Sequence, residues 1–250
     1  MKQYSKFARI YASGTYPEYS RYIANKVPDI TGRLGARPES ILDFACGEGT
    51  FALEAAGLGY EVWGLDRSAD MIELARNKAE GKDRDVSFRQ ADMRDFALPR
   101  KFDLATSWFD SMNYLLRTPD LRRTLENAYA HLNGDGYFIF DVNTIYGLRV
   151  QWQEENCYIQ REDSEIFEIH RTSYDRTEDV ATLRITVFAR DGGRWEKFEE
   201  SHRERAYSLE EIEESAEKVG FVVEAVWGDL ERFGPPEEES GRVWFVLHKE

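Results

Sequence analysis

Short apolar runs alternate with amphipathic stretches through the first part of the chain. Five of these runs are short enough to be strands, and the stretches between them repeat apolar residues every three or four positions, as helices do. The predicted strands are 41–44, 61–65, 86–89, 102–107 and 137–142. Strands that alternate with helices form a parallel sheet covered by helices on both faces. The pattern therefore predicts an α/β domain.

The helices of this part have recognisable ends. Residues 1–30 are amphipathic and rich in aromatic residues, and their spacing predicts helical pieces broken near Gly14 and Pro17. Before the fifth strand, Pro119 suits the first turn of a helix with one apolar face, and Gly134 is predicted to end it. These boundaries fit helices that connect successive strands.

The pattern changes after the fifth strand. From about residue 148 to residue 206, apolar and polar residues alternate with a period of two, which predicts antiparallel strands with one buried face. The predicted strands are 165–170, 180–189 and 195–205, with a hairpin turn at 191–193. A helix at 208–219 and strands at 221–227 and 242–248 close the chain.

Together these elements predict an α/β fold of the doubly wound, Rossmann-like type, with a mostly parallel seven-stranded sheet and an antiparallel β insert after strand five. The α/β domain would comprise residues 1–147 and 207–250, and the insert residues 148–206. In such folds ligands bind beyond the carboxyl ends of the parallel strands. Because the insert leaves the sheet at that edge, we expect it to cover a substrate pocket there.

Composition limits the kinds of partner and the cellular compartment that we expect for this protein. The formal net charge is −14 over 250 residues, and such a charge repels phosphate backbones, so no nucleic-acid partner is expected. No apolar run of about 18 residues occurs and the N-terminus has no apolar signal core, so we expect no membrane association. The two cysteines, Cys46 and Cys157, indicate neither a disulfide nor a metal site, which predicts a cytoplasmic protein without bound metal.

The stretch 41–50 carries the strongest functional signal. An apolar run ends in the carboxylate Asp43, and Gly47 and Gly49 follow before a helix begins. Glycines at a strand-to-helix turn let the backbone approach a ligand and leave helix amides free to face it. A second apolar run ends in Asp66, seventeen residues after Gly49, close to the roughly 20 residues at which a carboxylate meets a ribose. This layout predicts a nucleoside cofactor.

Asp43 distinguishes between two kinds of nucleoside cofactor. Its charge would be unfavourable near an anionic pyrophosphate, whereas it is favourable near the ammonium and sulfonium groups of a methionine-derived cofactor. The dinucleotide pattern is nevertheless matched by Gly47, Gly49 and Ala52. A NAD-binding dehydrogenase of similar fold is therefore an alternative.

The form Asp43-x-x-Cys46-Gly47-x-Gly49, followed by Asp66, resembles the cofactor loop of class I S-adenosylmethionine-dependent methyltransferases. The resemblance covers most of residues 36–145 and the two closing strands. The segments 7–11, 109–114 and 140–144 resemble small-molecule methyltransferases with a β-sheet lid. One departure is the Asn-Gly-Asp-Gly sequence at 133–136, where the family often has Pro-Gly-Gly, and it affects only a turn.

The resemblance implies S-adenosyl-L-methionine as the cofactor. The cofactor-binding residues that it implies are Tyr16, Asp43, Ala45, Cys46, Gly47, Gly49, Asp66, Arg67, Asp92, Met93, Ser107, Trp108 and Asn113. Gly47 and Gly49 would let the chain pass under the methionine part, and Asp43 would hold the loop or meet the amino group. Asp66 would accept hydrogen bonds from the ribose hydroxyls, and Asp92 would meet the adenine amino group.

Methyl transfer is an in-line displacement that requires the donor carbon and the acceptor atom to be aligned at about 3 Å in a dry pocket. The predicted catalytic residues are Tyr11, Asp110 and His170, with His202 as a further candidate base. Tyr11 would place an aromatic face against the sulfonium charge. Asp110 would orient the acceptor or take its proton.

The sequence therefore predicts an enzyme that transfers a methyl group to a nitrogen or oxygen atom of a small-molecule acceptor, as a monomer or a homodimer. Methylation of RNA or protein is an alternative, which the net charge of −14 disfavours. A cofactor-binding protein without catalysis is another, because methyl transfer has no obligatory catalytic residue.

Overall fold

The computed structural model describes Tyr4 and residues 6–250 of the chain. The strands are β1 (Ser40–Phe44), β2 (Glu61–Asp66), β3 (Val86–Gln90), β4 (Phe102–Ser107), β5 (Leu132–Asn143), β6 (Cys157–Glu162), β7 (Ile166–Asp175), β8 (Val180–Asp191), β9 (Arg194–Arg205), β10 (Val222–Trp227) and β11 (Arg242–Lys249). The helices are α1 (Phe7–Ser13), α2 (Tyr16–Arg33), α3 (Thr50–Gly57), α4 (Ala69–Ala79), α5 (Thr118–His131), α6 (Trp152–Glu154) and α7 (Leu209–Val219). A 3₁₀ turn at Ser111–Tyr114 and a π-helical turn at Gly147–Gln151 complete the elements.

The larger sheet has seven strands in the order β10-β11-β5-β4-β1-β2-β3. Its pairs are parallel except where β11 runs antiparallel between β5 and β10. All five residues of β1 are buried, the pattern of a parallel strand covered on both faces. The chain continues from β1 to β2 on one side and returns through β4 on the other, so the strand order reverses at β1, where such folds bind ligands. The predicted fold class is confirmed.

The second sheet has four antiparallel strands in the order β6-β7-β8-β9 and is inserted after β5. The hairpin turn predicted between the last two strands is confirmed, and its residues Gly192 and Gly193 have φ angles of 54° and 85°. The sequence pattern did not indicate β6. This edge strand pairs on one side only, and its residues are half-buried or exposed, so no apolar alternation marks it.

One predicted helix boundary is wrong. Helix α5 ends at His131 and β5 begins directly at Leu132, so Gly134 lies inside the strand and does not end the helix. The pairing of β5 with β4 is irregular over this segment, where Asp135 has a φ of 60°. The glycines of this segment therefore belong to an irregular part of strand β5.

The N-terminal helices connect the two sheets. The break predicted near Gly14 is confirmed, since α1 and α2 are separated there and Pro17 lies in the first turn of α2. Helix α1 packs Phe7 against Ile185 and Val187, on the buried face of the insert. That face is therefore covered by the N-terminal part of the same chain.

The start of the insert passes close to β11. A Cβ atom added at Gly147 would lie 2.1 Å from the carbonyl oxygen of Gly241. We expect Gly147→Ala to lower the free energy of unfolding by at least about 1–3 kcal/mol, the usual cost of extra volume in a packed site. Urea denaturation measures this change. Gly134→Ala is the control, because no atom lies within 4 Å of its Cβ position, and equal destabilisation of both variants would contradict the prediction.

Candidate active site

A cavity opens at the carboxyl ends of β1, β2 and β4, and the loops after these strands line it. It contains about 1020 Å³ of empty space, including its mouth to solvent. The predicted site residues that line it are Tyr11, Asp43, Ala45, Cys46, Gly47, Asp66, Arg67, Asp92, Met93 and Trp108. The cavity thus lies where a doubly wound sheet binds its ligands.

Asp66 joins two loops at the cavity wall. One carboxylate oxygen accepts a hydrogen bond from the Gly47 amide at 3.0 Å, and the other accepts one from the Ser68 amide at 2.7 Å. Burial raises the pKa of Asp66, and the two amides act against that rise. Each oxygen of a carboxylate can accept more than one hydrogen bond. Asp66 therefore fixes the loop after β1 and still has acceptor capacity for a ligand.

Asp43 is buried at the end of the central strand and retains an unused acceptor. Its Oδ1 accepts a hydrogen bond from the Thr106 hydroxyl at 2.9 Å, while Oδ2 has no hydrogen-bond partner among the described residues. Burial raises the pKa of Asp43 well above its usual value. A buried acceptor without a donor is costly. A cationic or hydrogen-bond-donating group in the cavity would satisfy it.

The two loop glycines have different surroundings. Both have positive φ angles, 55° at Gly47 and 82° at Gly49. No atom lies within 4 Å of the Cβ position of Gly47, which lines the cavity. At Gly49 a Cβ would lie 2.7 Å from the Phe88 ring and 2.8 Å from the Ala75 Cβ. Gly47 therefore borders the ligand space, whereas Gly49 allows α3, α4 and β3 to pack closely.

Asp92 is held by a neighbouring arginine. Its carboxylate accepts two hydrogen bonds from the Arg94 guanidinium, at 2.9 and 2.7 Å, and one from the Arg94 amide at 3.0 Å. These bonds keep the pKa of Asp92 below its usual value. Arg94 also lies 3.5 Å from Asp120, so the ion pair fixes the loop after β3.

A group of aromatic side chains, which we call the aromatic end of the cavity, also contributes to its lining. These residues are Tyr4, Tyr11, Trp108, Phe109 and Tyr114. The Tyr4 and Tyr114 hydroxyls are 3.0 Å apart. The Tyr4 carbonyl accepts a hydrogen bond from Ser68, and the Tyr4 amide donates one to Glu200 of the insert at 2.7 Å. Tyr4 thus connects the cofactor-side wall of the cavity to the insert.

The charge of the lining selects among cofactors. Its charged residues are Asp43, Glu48, Asp66, Arg67, Asp92 and Arg94. Asp92 and Glu48 form ion pairs with Arg94 and Lys78, whereas Asp43 has no ion pair among the described residues. This excess of carboxylates disfavours a pyrophosphate and favours a cation. The carboxylates of the lining fit S-adenosylmethionine, which carries its methyl group on a positively charged sulfur.

Comparisons with known proteins agree with this chemistry. Residues 41–136 match the family described as the methyltransferase domain. Over 241 residues the chain is 30% identical to the dTDP-3-amino-3,6-dideoxy-alpha-D-glucopyranose N,N-dimethyltransferase of Streptomyces fradiae, which covers 93% of this chain and 86% of the relative. The chain belongs to the S-adenosylmethionine-dependent methyltransferases. Its cofactor is therefore S-adenosylmethionine.

Solved structures extend the likeness of this methyltransferase to the insert. An S-adenosylmethionine-dependent methyltransferase from Clostridium acetobutylicum ATCC 824 is 26% identical, covers 99% of both chains and has a TM-score of 0.84. The sugar N-methyltransferase of Streptoalloteichus sp. ATCC 53650 is 21% identical, covers 100% of this chain and 93% of its own, and has a TM-score of 0.74. The second likeness concerns the fold alone.

Two predicted residues of the methyltransferase, Tyr16 and His170, lie behind the cavity wall. The Tyr16 ring stacks on Tyr11 at 4.6 Å, and its hydroxyl donates to Glu168 at 2.5 Å. His170 Nε2 lies 2.6 Å from the same carboxylate, and its Nδ1 is 3.1 Å from the Tyr158 hydroxyl. The structure therefore brings neither residue to the lining, and Tyr16 supports Tyr11 from behind.

Asn113 and Ser107 are also displaced from the cavity. The Asn113 amide group donates to the carbonyl oxygens of Asn143 and Arg205 and accepts from the Asn143 amide, each at 2.9 Å. These bonds fasten the 3₁₀ turn to β5 and to the end of the insert, so the side chain is already engaged. Ser107 is buried within the sheet at the end of β4. Asp110 lies between the lining residues Phe109 and Ser111 but does not itself line the cavity.

Sequence reasoning missed several residues at the site. Tyr4 and Arg94 line the cavity, and Glu204 and Arg242 contact Asp110 just behind it. The position of Arg94 two residues after Asp92 was a usable signal. Glu204 is one of several polar residues at alternate, buried positions of β9, and this pattern was a weaker signal. Arg242 begins a strand far along the chain, and no local pattern marks it.

The part of the chain that the structure describes contains neither a membrane-spanning helix nor a cluster of metal ligands. No helix in this part of the chain has both the length and the hydropathy that a bilayer span requires. No group of three or more His, Cys, Asp or Glu side chains in the same residues is arranged to hold a metal ion.

The position of Asp66 generates a prediction about cofactor affinity. We expect Asp66→Ala to weaken S-adenosylmethionine binding by roughly 2–4 kcal/mol, or about 30- to 1000-fold in Kd, because charged hydrogen bonds contribute about 1.5–3 kcal/mol each. Isothermal titration calorimetry measures the change. Asp70→Ala, in the first turn of α4 and outside the cavity lining, should leave Kd within twofold. A Kd within twofold for a folded Asp66→Ala protein would contradict the role of Asp66.

Proposed function

We propose that this methyltransferase transfers a methyl group to the amine nitrogen of a small molecule held between the α/β domain and the insert. The single observation that carries the proposal is a buried pair of carboxyl groups, Asp110 and Glu204, beside the aromatic end of the cavity. The pair joins the loop after β4 to the buried face of the insert. In this proposal the pair faces the acceptor, whereas Asp43 and Asp66 face the cofactor.

The cofactor would occupy the carboxylate-lined end of the cavity. Asp43 and its free Oδ2 atom would suit the ammonium group, and Asp66 would accept hydrogen bonds from the ribose. Met93, which lines the cavity, would pack on the adenine ring, and Arg94 would keep Asp92 in place beside it. Tyr11 would present its ring near the sulfonium charge.

Glu204 is completely enclosed. Its Oε2 accepts a hydrogen bond from the Asn143 amide group at 2.9 Å, and the Asp110 carboxyl group is a near neighbour. Burial and then the neighbouring Asp110 charge raise the pKa of Glu204 well above its usual value. The raised pKa therefore makes Glu204 a basic carboxyl group.

The pair is close to the cavity lining. Phe109 and Ser111 flank Asp110 and line the cavity, as does Tyr114. Burial raises the pKa of Tyr114 well above its usual value, and Tyr4, Glu204 and Asp110 add to the rise, as close neighbours do. The pair therefore adjoins residues of the cavity lining.

The chemistry of nitrogen methylation suits such a pair. An amine attacks through its lone pair, so an ammonium group has to lose a proton before the attack. A carboxylate attracts the ammonium group, and a carboxyl group of raised pKa is a better proton acceptor than an ordinary one. A hydroxyl acceptor holds its proton far more tightly than an ammonium group does, so a carboxylate base favours nitrogen over oxygen.

Two other observations support a small amine acceptor. The relative of 30% identity is named as an N,N-dimethyltransferase of a dTDP-linked amino sugar. The net charge of −14 disfavours RNA as the acceptor. The insert, with its buried face turned towards α1 and the cavity end, would act as the lid of the acceptor pocket.

A panel of matched acceptors tests the proposal. We expect release of S-adenosylhomocysteine with amino sugars and other small primary amines, and none with the hydroxyl compounds of the same carbon skeleton. Mass spectrometry of the product should place the added 14 Da on nitrogen. Transfer to the hydroxyl series alone, or to bulk tRNA alone, would overturn the amine assignment.

Glu204 provides the sharpest variant. We expect Glu204→Gln to lower kcat/KM for the amine by about 100-fold or more, because a proton acceptor of the transition state is lost while the shape and the Asn143 contact are kept. The Kd for S-adenosylmethionine should stay within threefold. Glu199→Gln is the matched control, since Glu199 lies on the same strand but pairs with Lys197 on the other face. Equal activity of the Glu204→Gln and Glu199→Gln proteins would contradict the role of Glu204.

A further inference from the structure

The turn after β4 has an unfavourable backbone conformation. Phe109 and Asp110 have φ angles of 59° and 54°, a region that non-glycine residues seldom adopt and that is exceptional in two consecutive residues. Strained residues of this kind persist only where the surroundings over-determine them. The interactions that hold this turn therefore indicate what its conformation is for.

A single carboxylate holds both amides of the turn. Asp141 Oδ1 accepts a hydrogen bond from the Phe109 amide at 2.7 Å, and Oδ2 accepts one from the Asp110 amide at 2.9 Å. Asp141 is completely buried on β5, the strand next to β4. Burial raises its pKa, and the two amides and the nearby Arg242 act against that rise. The strained turn is thus fastened directly to the sheet.

Arg242 joins the carboxylate to the turn. Its guanidinium donates to Asp141 and, at 2.6 Å, to Asp110 Oδ1. The same group lies over the rings of Tyr19 and Phe109, at 5.4 and 5.6 Å from their centroids. One arginine at the start of β11 therefore fixes the carboxyl group of Asp110 and the ring of Phe109 together.

The arrangement determines two surfaces of the acceptor end. Phe109 lines the cavity and its ring stacks on Tyr19 at 4.9 Å. Asp110 is also a near neighbour of Glu204 on β9. If the turn relaxed to ordinary backbone angles, the ring and the carboxyl group would no longer hold these positions.

We propose that Asp141 and Arg242 are positioning residues for methyl transfer, which hold the Phe109–Asp110 turn so that the acceptor meets the cofactor in line. Neither residue would touch the reacting atoms. The inference rests on the proposed function, because it assigns the aromatic ring and the Asp110 carboxyl group to the acceptor. Alignment errors of about 1 Å cost on the order of 100-fold in rate, so loss of the turn should reduce turnover more than binding.

The test compares two strand-end carboxylates of the same sheet. Asp141→Asn is expected to lower kcat by about 100-fold, with the Kd for S-adenosylmethionine within threefold of the parent enzyme. Asp103→Asn is the control. Asp103 also accepts hydrogen bonds from two consecutive backbone amides, Glu39 and Ser40, each at 3.0 Å. It lies at the start of β4, at the end of the strands away from the cavity. Equal kcat losses in the two variants would overturn the inference.

The pH dependence of kcat/KM gives a readout that a merely structural role would not move. The titratable and charged groups near Glu204 among the described residues are Tyr4, Tyr114, Asp110 and Arg242. Arg242 is the cation of this set, and its charge acts against the rise in the pKa of Glu204 that burial and the Asp110 charge produce.

The acid limb of kcat/KM should respond to the charge at position 242. Arg242→Gln removes the cation, so the pKa of Glu204 rises further and the limb should move to higher pH by about one unit or more. Arg242→Lys keeps the charge and should hold the limb within about half a unit of the parent enzyme. Limbs at the same pH in the Arg242→Gln and Arg242→Lys proteins would overturn the role of Arg242.

The failure of this inference can be told apart from failure of the amine assignment. The variants are assayed with the acceptor that turns over fastest in the matched amine and hydroxyl panel. If that acceptor is a hydroxyl compound, the amine assignment fails and the comparison of Asp141→Asn with Asp103→Asn still decides the positioning role. If an amine is the acceptor and the two variants have equal kcat, the positioning inference alone fails.

Discussion

A carboxylate removed from water needs hydrogen-bond donors or a cation, and this constraint shapes the carboxyl edge of the whole sheet. Three of the strands that meet there end in, or near, an aspartate. Asp66 on β2 holds the amides of Gly47 and Ser68, and Asp141 on β5 holds the amides of the turn after β4. Asp43 on β1 has one oxygen to spare. The positions of the loops, and hence the shape of the cavity, follow from these contacts.

The same constraint separates the two ends of the cavity. At the cofactor end the carboxylates are met by backbone amides and by Arg94, which leaves an anionic, rigid surface suited to a cation. At the acceptor end Arg242 compensates Asp110 and Asp141, while Glu204 is met by neutral donors and by Asp110. In the proposed function the first end binds and orients the cofactor, and the second accepts a proton from an amine.

The insert contributes to the second end through its buried face. Strand β9 places Glu200, His202 and Glu204 on that face. Glu200 accepts hydrogen bonds from the backbone amides of Tyr4 and Phe7, so it anchors the N-terminal segment over the cavity. His202 is 3.0 Å from the Tyr114 hydroxyl. Each inward polar residue of the strand therefore links the insert to a different part of the cavity wall.

How much of this could be read from the sequence depends on how local the determinant is. The loop with Gly47, the carboxylates Asp43 and Asp66, and the order of strands and helices are encoded over short stretches by apolar period and by turn residues, so the fold class and the cofactor could be predicted. The roles of Gly49 and Asn113 could not, because packing against Phe88 and hydrogen bonds to Asn143 exist only in the folded chain.

The acceptor end was harder still to predict. Asp110, Asp141, Glu204 and Arg242 are brought together from four separate elements, and Arg242 lies 132 positions from the Asp110 that it contacts. No spacing rule relates such residues. Gly134 illustrates the opposite difficulty, since a local helix-ending signal was overridden by the pairing of β5 with β4.

The most direct test of the account is a crystal structure of the enzyme with S-adenosylhomocysteine and the small-molecule acceptor that it methylates. The account predicts the acceptor nitrogen within hydrogen-bonding distance of a carboxyl oxygen of Asp110 or Glu204, with the Phe109 ring against the acceptor and the turn in its left-handed conformation. An acceptor bound with its reacting atom remote from both carboxyl groups, while the enzyme in the crystal remains active, would contradict it.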